Sequence, residues 1–364
     1  MDFCAKNLYD CIMSIFISHE SALEYWRRHF DKPITSASLK KAVLPKSPPE
    51  KGMLQTEIVG SLSQPLHIVL SNPSARRASR PMRQHVFRAE TPIGCFVSVR
   101  EGLMVSSPEF CFLQMAEELS LVKLIELGYE LCGTYSMPTD AISTTATAAV
   151  PPEEPRLPIK EDRPAIRQKH DVGPNEESPA SKRGFNTRPA LTSKRKLETF
   201  LARMLGIKGH QKAARALRYI ADGAASPMEA KLAILLTLPY KLGGYHFPTP
   251  EHNGRIAPGK TAKQIASKTY YACDLFWHDY ALAVEYDSDQ HHTGADRIAS
   301  DSKKRNALSM MGVTVVTVTN QQLHSVLELE KVACVLANHM GRRRRWLDSP
   351  GFAAAHRELR RLLL

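Results

Sequence analysis

The sequence predicts an α/β fold for its C-terminal part, preceded by a small α+β domain and a disordered linker. Three observations carry this. Between about Pro138 and Lys194 the chain is rich in Pro, Ser, Thr and charges and nearly free of aromatics, so it cannot bury enough apolar surface to offset its ordering entropy. Beyond it, two strand-like runs, YYACDLFW (270–277) and ALAVEYD (281–287), are separated by only three residues, short enough for a hairpin. A polar turn, a helix and the β-branched run VTVVTVT (313–319) then follow, and strand, helix, strand in that order implies a right-handed crossover onto a parallel neighbour. The expected units are an α+β domain at 1–135, the linker at 136–195 and the α/β domain at 196–364.

In the first unit, HESALEYWRRHF (19–30) has helical spacing of its apolar residues, and LHIVL (66–70) and CFVSV (95–99) read as strands. Ser107-Pro108-Glu109 opens a helix expected to run through Leu119, because Ser caps well and Pro suits the first turn. A second helix starts at Leu121 and is expected to end near Gly128. In the last unit, a basic helical stretch spans Leu197 to Ala221. Ser226 followed by Glu229 then forms a capping-box pattern for a helix through Leu238. Residues 245–268, broken by prolines and glycines, are expected to be irregular and to include a poor strand. The run VTVVTVT reads as a strand buried on both faces, and 323–340 reads as an amphipathic helix leading to Arg342–Arg345.

The charge balance bounds the partners. Lys and Arg number 49 against 37 Asp and Glu, a net +12, which favours a polyanionic partner, a nucleic acid for example, over a cationic one. From residue 201 onward there are 23 Lys and Arg against 14 Asp and Glu, so +9 of the +12 lies in the last 164 residues. The seven cysteines include no C-x-x-C pair and read as reduced core thiols. No stretch of about 18 apolar residues is present, so no membrane span is expected and the cytoplasm is the default location.

The hairpin carries the chemistry. Alternation puts Ala281, Ala283, Glu285 and Asp287 on one face of the second strand. If the turn pairs Asp274 with residue 283 or 285, its carboxylate joins that face beside Glu285. Three carboxylates on a half-buried face repel one another. Protonation, a basic partner or a divalent cation must compensate, and hard oxygen ligands suit Mg²⁺ or Mn²⁺. Such an ion makes phosphodiester hydrolysis feasible. Asp274 and Glu285 are therefore the expected metal ligands. Asp287 could instead cap the following turn, Glu229 could serve only as a helix cap, and His291 or His292 could act in proton transfer. Lys303, Lys304 and Arg305 on the helix, and Arg342, Arg343, Arg344 and Arg345 further on, are candidate phosphate contacts or simply solvated helix faces.

The spaced strings SPMEAK (226–231), CDLFW (273–277), VEYDSDQHH (284–292) and DSKKRNALSMMGVTVVTVT (301–319) resemble endonuclease-like domains related to the very-short-patch repair endonuclease, including domain-of-unknown-function 559, within the PD-(D/E)XK nuclease superfamily. The resemblance implies a restriction-endonuclease-like mixed sheet with flanking helices, with Asp274 and Glu285 as metal ligands. It also implies near-site roles for Asp287, Gln290 and His291, and Glu229 reaching the same site from its helix. The sequence departs from that pattern at Ser288, commonly Gly, and at Asp287, which stands where the superfamily carries the lysine of E-x-K. The cation is thus missing or comes from elsewhere. The first unit resembles AbiEi-type abortive-infection antitoxins through SHESALEYW (18–26), LHIVLS (66–71) and GLMVSSPEFCFLQMA (102–116). Together these imply a metal-dependent DNA endonuclease or nickase, with settings in phage defence, repair or mobile-element biology. The competing expectations are a non-catalytic DNA-binding regulator of antitoxin type, or a protein-interaction module whose partner contacts the first unit.

Overall fold

A computed structural model describes residues 14–29, 34–40, 42–77, 79–139, 184–257, 269–287 and 295–364. The fold is mixed α/β, with eleven α-helices among the described residues. In the first part the order is β1 (Ile15–Ile17), α1 (His19–Arg28), β2 (Leu39–Lys40), α2 (Glu57–Gly60), β3 (Leu66–Leu70), β4 (Met82–Val86), β5 (Phe96–Arg100), β6 (Leu103–Ser106), α3 (Pro108–Glu118), α4 (Leu121–Cys132) and β7 (Tyr135–Ser136). The second part has β8 (Asn186–Thr187), α5 (Lys194–Ala202), α6 (His210–Leu217), α7 (Pro227–Thr237), β9 (Glu251–Ile256), β10 (Tyr271–Trp277), β11 (Leu282–Asp287), α8 (Ala295–Met310), β12 (Thr314–Thr319), α9 (Asn320–His324), α10 (Val326–His339) and α11 (Phe352–Leu363).

Six strands of the first part form one mixed sheet in the order β2-β5-β6-β1-β3-β4, with β1 parallel to β6 and β3 parallel to β4. Helix α3 begins as the sequence predicts, its Ser107 hydroxyl accepting the Phe110 N–H. Helix α4 does not stop at Gly128. It continues one more turn to Cys132, and Gly128 is an interior packing residue: a Cβ there would lie 2.1 Å from the Ile220 side chain. A glycine read as a stop is instead a point of close approach between helices.

The linker expected at 136–195 overlaps residues that the structure shows folded at both of its ends. Residues 140–183 lie outside the described set, but 184–195 are packed. Strand β8 pairs antiparallel with β7. Buried Arg188 donates to the carbonyls of Glu130 (2.7 Å) and Pro189 (2.8 Å), and Ser193 caps α5. An arginine that satisfies the last carbonyls of α4 anchors this segment in spite of its polar composition. The single helix expected over 197–221 is two, α5 and α6. The chain turns between them through Gly206 and Gly209, both at positive φ (+77° and +83°), which L side chains rarely adopt.

One continuous cluster of buried residues runs from Ile15 to Leu363. Helix α4 lies at its centre, against α6, α7 and α11. Within it, Arg27 forms a bidentate pair with buried Glu130 (2.8 and 2.7 Å). The second sheet runs β12-β11-β10-β9, with β11 parallel to β12 and the other two pairings antiparallel. The expected burial of β12 on both faces is not observed. Among the described residues it is an edge strand of this sheet, and only Val318 of its six residues is buried. A smaller buried cluster, Tyr271, Cys273, Phe276, Ala283, Ala307, Leu308 and Val313, joins α8 to one sheet face. No helix among the described residues is long and apolar enough to cross a membrane.

Candidate active site

Strands β10 and β11 pair in the register Leu275 to Val284, Phe276 to Ala283 and Trp277 to Leu282, which sets Asp274 across from Glu285. The ladder changes there. The Asp274 Oδ2 accepts the Tyr286 N–H at 2.7 Å. Cys273 and Phe276 both join the α8-facing cluster while Leu275 joins the main core, so simple alternation is interrupted at Asp274. On its other side, β9 flanks the same position with Cys273 paired to Gly254 and Leu275 to His252. Asn253 between them has φ +50°. A non-glycine residue in that region is uncommon and marks local strain.

Asn253 also reaches the third carboxylate. Its Nδ2 donates to Gly223 O at 2.9 Å and to Glu229 Oε2 at 3.2 Å. Glu229, 8% exposed, sits in the first turn of α7, where the Ser226 hydroxyl accepts its N–H at 3.2 Å. The reciprocal half of the capping box is displaced by one residue, because Glu229 Oε2 accepts from Ala225 N–H at 2.9 Å. One side chain thus both caps α7 and lies close enough to Asp274 to act on its charge.

Electrostatics ties the three together. Burial, then the charges of Glu229 and Glu285, pushes the Asp274 carboxyl well above its usual range, against the Tyr286 N–H and Lys304. Burial likewise raises Glu229, with Glu285 adding to it, although its hydrogen bonds from Ala225, Ser226 and Asn253 act the other way. The compensating cation comes from α8: Lys304 Nζ lies 2.8 Å from Glu285 Oε1. Burial lowers the Lys304 pKa, but the charge and hydrogen bond of Glu285, with Cys273 and Asp274 adding to them, more than offset it, so the ammonium is held above its usual range. Beneath the pair, burial pushes the Cys273 thiol up to about 12, with Glu285 adding to it.

The structure thus brings Asp274, Glu285, Glu229 and Lys304 together. Asp287 ends β11, half-buried. Gln290, His291 and His292 lie outside the described residues, as does Ser288. Lys303 and Arg305 are exposed on α8, and Arg342, Arg343, Arg344 and Arg345 are exposed after α10. Within that cluster Arg342 donates to His246 O at 3.3 Å. The sequence reading treated Lys304 as a phosphate contact and missed its pairing with Glu285. Asn253 was missed altogether, since nothing in its local sequence distinguishes it from an ordinary turn asparagine.

No family model, curated protein or solved structure matches this chain.

Proposed function

We propose that the chain is a divalent-metal-dependent DNA endonuclease or nickase whose site is centred on Asp274 and Glu285. The observation that carries this reading is the gathering of three mutually repelling carboxylates, Glu229, Asp274 and Glu285, with Lys304 paired to Glu285. Mutual repulsion at low effective dielectric disfavours that arrangement unless a positive charge relieves it. An all-oxygen donor set fits Mg²⁺ or Mn²⁺. Asp274 and Glu285 would hold the ion, and Glu229 adds negative charge from α7. A bound ion of this class polarises a phosphodiester and lowers the pKa of water.

The chain's own groups do the rest. Lys304 offers an ammonium to the charge that builds up on a phosphate oxygen, in the role the superfamily gives to the lysine of E-x-K. The Tyr286 N–H and the Asn253 amide hold Asp274 and Glu229 in place. Lys303, Arg305 and Arg342 to Arg345 supply exposed positive charge for the backbone. The parallel β11–β12 pair bridged by α8 is the arrangement a restriction-endonuclease-like core requires. The antitoxin-like strings of the first part favour a setting in phage defence.

One observation favours the non-catalytic regulator. Glu229, Asp274 and Glu285 are not among the groups whose ligand atoms all lie within 4.8 Å of one another, and Lys304 already balances Glu285 without an ion. A plasmid-nicking assay with Mg²⁺, Mn²⁺ or EDTA separates the two readings. Metal-dependent nicking by the full chain, abolished by Asp274→Ala and by Glu285→Ala, is the expected result. Cleavage that survives both substitutions rejects the site, and a salt-sensitive DNA shift without cleavage supports the regulator.

A further inference from the structure

We propose that the cavity bounded by β3, β4, α3 and the turn between α5 and α6 binds a nucleoside phosphate, at a site separate from the carboxylate cluster and independent of the nuclease reading. The cavity has a volume of about 550 Å³, within the range of small-molecule sites. A single tetrahedral oxyanion, only a few times the ~30 Å³ share of one water, would leave most of it unfilled. The ligand therefore needs a body as well as a charge.

The charge is set by arginine. Arg76, Arg88 and Lys208 line the cavity against one carboxylate, Glu117, among the described lining residues. Lys208 Nζ is 2.7 Å from Glu117 Oε2, so that pair cancels. Arg76 and Arg88 are both exposed and have no ion pair among the described residues. Burial first, then His67, Arg83 and Arg76, holds the His85 imidazole at about 3, so it adds no charge at pH 7, and the Arg76 charge is felt at the cavity wall. The two guanidiniums left over match the charge of a phosphate monoester, about −1.5 to −2 at pH 7. Their forked donors bind phosphate oxygens in bidentate fashion.

The body is set by the walls. Val69, Phe110 and Leu113 are buried there, and Phe87 meets Phe110 edge to face with ring centroids 5.2 Å apart. His19 and His85 stack at 3.5 Å and 13°, and flat uncharged rings of this kind suit a base. A hydrogen-bonding demand narrows the class. The His19 N–H donates to Gln114 Oε1 at 3.2 Å, which fixes the amide oxygen on that side. The other end, Gln114 Nε2, is a buried donor with no partner among the described residues, on a side chain that lines the cavity. Buried polar groups are nearly always paired. A base supplies an acceptor as a ring nitrogen or carbonyl, whereas a long-chain acid would satisfy the apolar walls and the arginines but not this donor.

The test is calorimetric titration of the full chain in EDTA with the four common nucleoside triphosphates, their monophosphates, and inorganic phosphate. EDTA removes any ion that could hold a nucleotide at the carboxylate cluster. One equivalent of at least one nucleoside phosphate should bind, with inorganic phosphate at least tenfold weaker. Arg76→Gln and Arg88→Gln should each weaken binding by about tenfold or more, the effect of losing a charge-assisted hydrogen bond. Ala89→Trp, at an exposed lining position, should block the cavity without touching the core. All three positions are at the surface, and circular dichroism checks that the variants fold. The proposal is overturned if no nucleoside phosphate binds the wild type, or if inorganic phosphate binds as tightly as the nucleotides. Binding that survives all three variants, or is lost only in Lys303→Gln or Arg305→Gln, also overturns it, the latter by placing the ligand on α8.

Discussion

Lys304 Nζ stands 2.8 Å from Glu285 Oε1, joining the middle of α8 to the strand that carries the candidate metal ligand. Under the proposed nuclease reading, Lys304 of the crossover helix stands in for the lysine of E-x-K. On that reading, Lys304→Met should lower metal-dependent nicking by about 10²-fold, the typical effect of removing one transition-state donor. Stability to urea should change by only about 1 kcal/mol, because the pair is partly solvated. Nicking at the wild-type rate would remove Lys304 from the chemistry.

Glu229 is held by two hydrogen bonds but sits among like charges. Glu229→Gln keeps an acceptor for the Ala225 N–H and removes one negative charge. In EDTA the variant should be more stable than wild type by about 0.5–2 kcal/mol, while nicking falls, as expected where a site stores unfavourable charge for function. A loss of stability in denaturant titrations would show that the ionised cap outweighs the repulsion.

The Glu130–Arg27 pair predicts acid sensitivity. Burial pushes the Glu130 carboxyl up, but the Arg27 charge and hydrogen bonds, with the Met137 N–H, more than offset it, so its folded pKa is lowered. The stability it contributes is fully present above the unfolded value of about 4.3 and is lost as pH falls from there through the lower folded value. Denaturation midpoints measured from about pH 6 down to about pH 3 should show this loss. Arg27→Met, which leaves a buried carboxylate unpaired, should cost about 3–5 kcal/mol near neutrality and less in acid, where Glu130 takes up a proton.

Gly133 ends α4 where the two parts of the chain meet. A Cβ there would lie 2.6 Å from Tyr129 O and 2.7 Å from Ala224 O, backbone atoms that cannot swing aside. Gly133→Ala should destabilise the whole chain by about 1–3 kcal/mol in a single transition. If only one of two separate transitions shifts, the parts fold independently despite their shared core.

By itself the sequence determined the elements whose signals are local: the caps at Ser107 and Ser226, the hairpin between 274 and 285, whose register stayed open between two pairings until the structure fixed it, and the parallel strand after α8. Each follows from periodicity, turn length or a capping hydroxyl, which act over a few residues. Tertiary structure alone decided that Gly128 lies inside a helix, that Arg188 ties the end of the expected linker to α4, that β12 is an edge, and that Lys304 and Asn253 meet Glu285 and Glu229. The same was true of the contact among His19, His67 and His85, which come from α1, β3 and β4. Burial, close approach and charge pairing are set by which distant surfaces share a core. No short window of residues encodes that, because the low-dielectric neighbourhood that gives a lysine or histidine its role exists only once the strands and helices have packed.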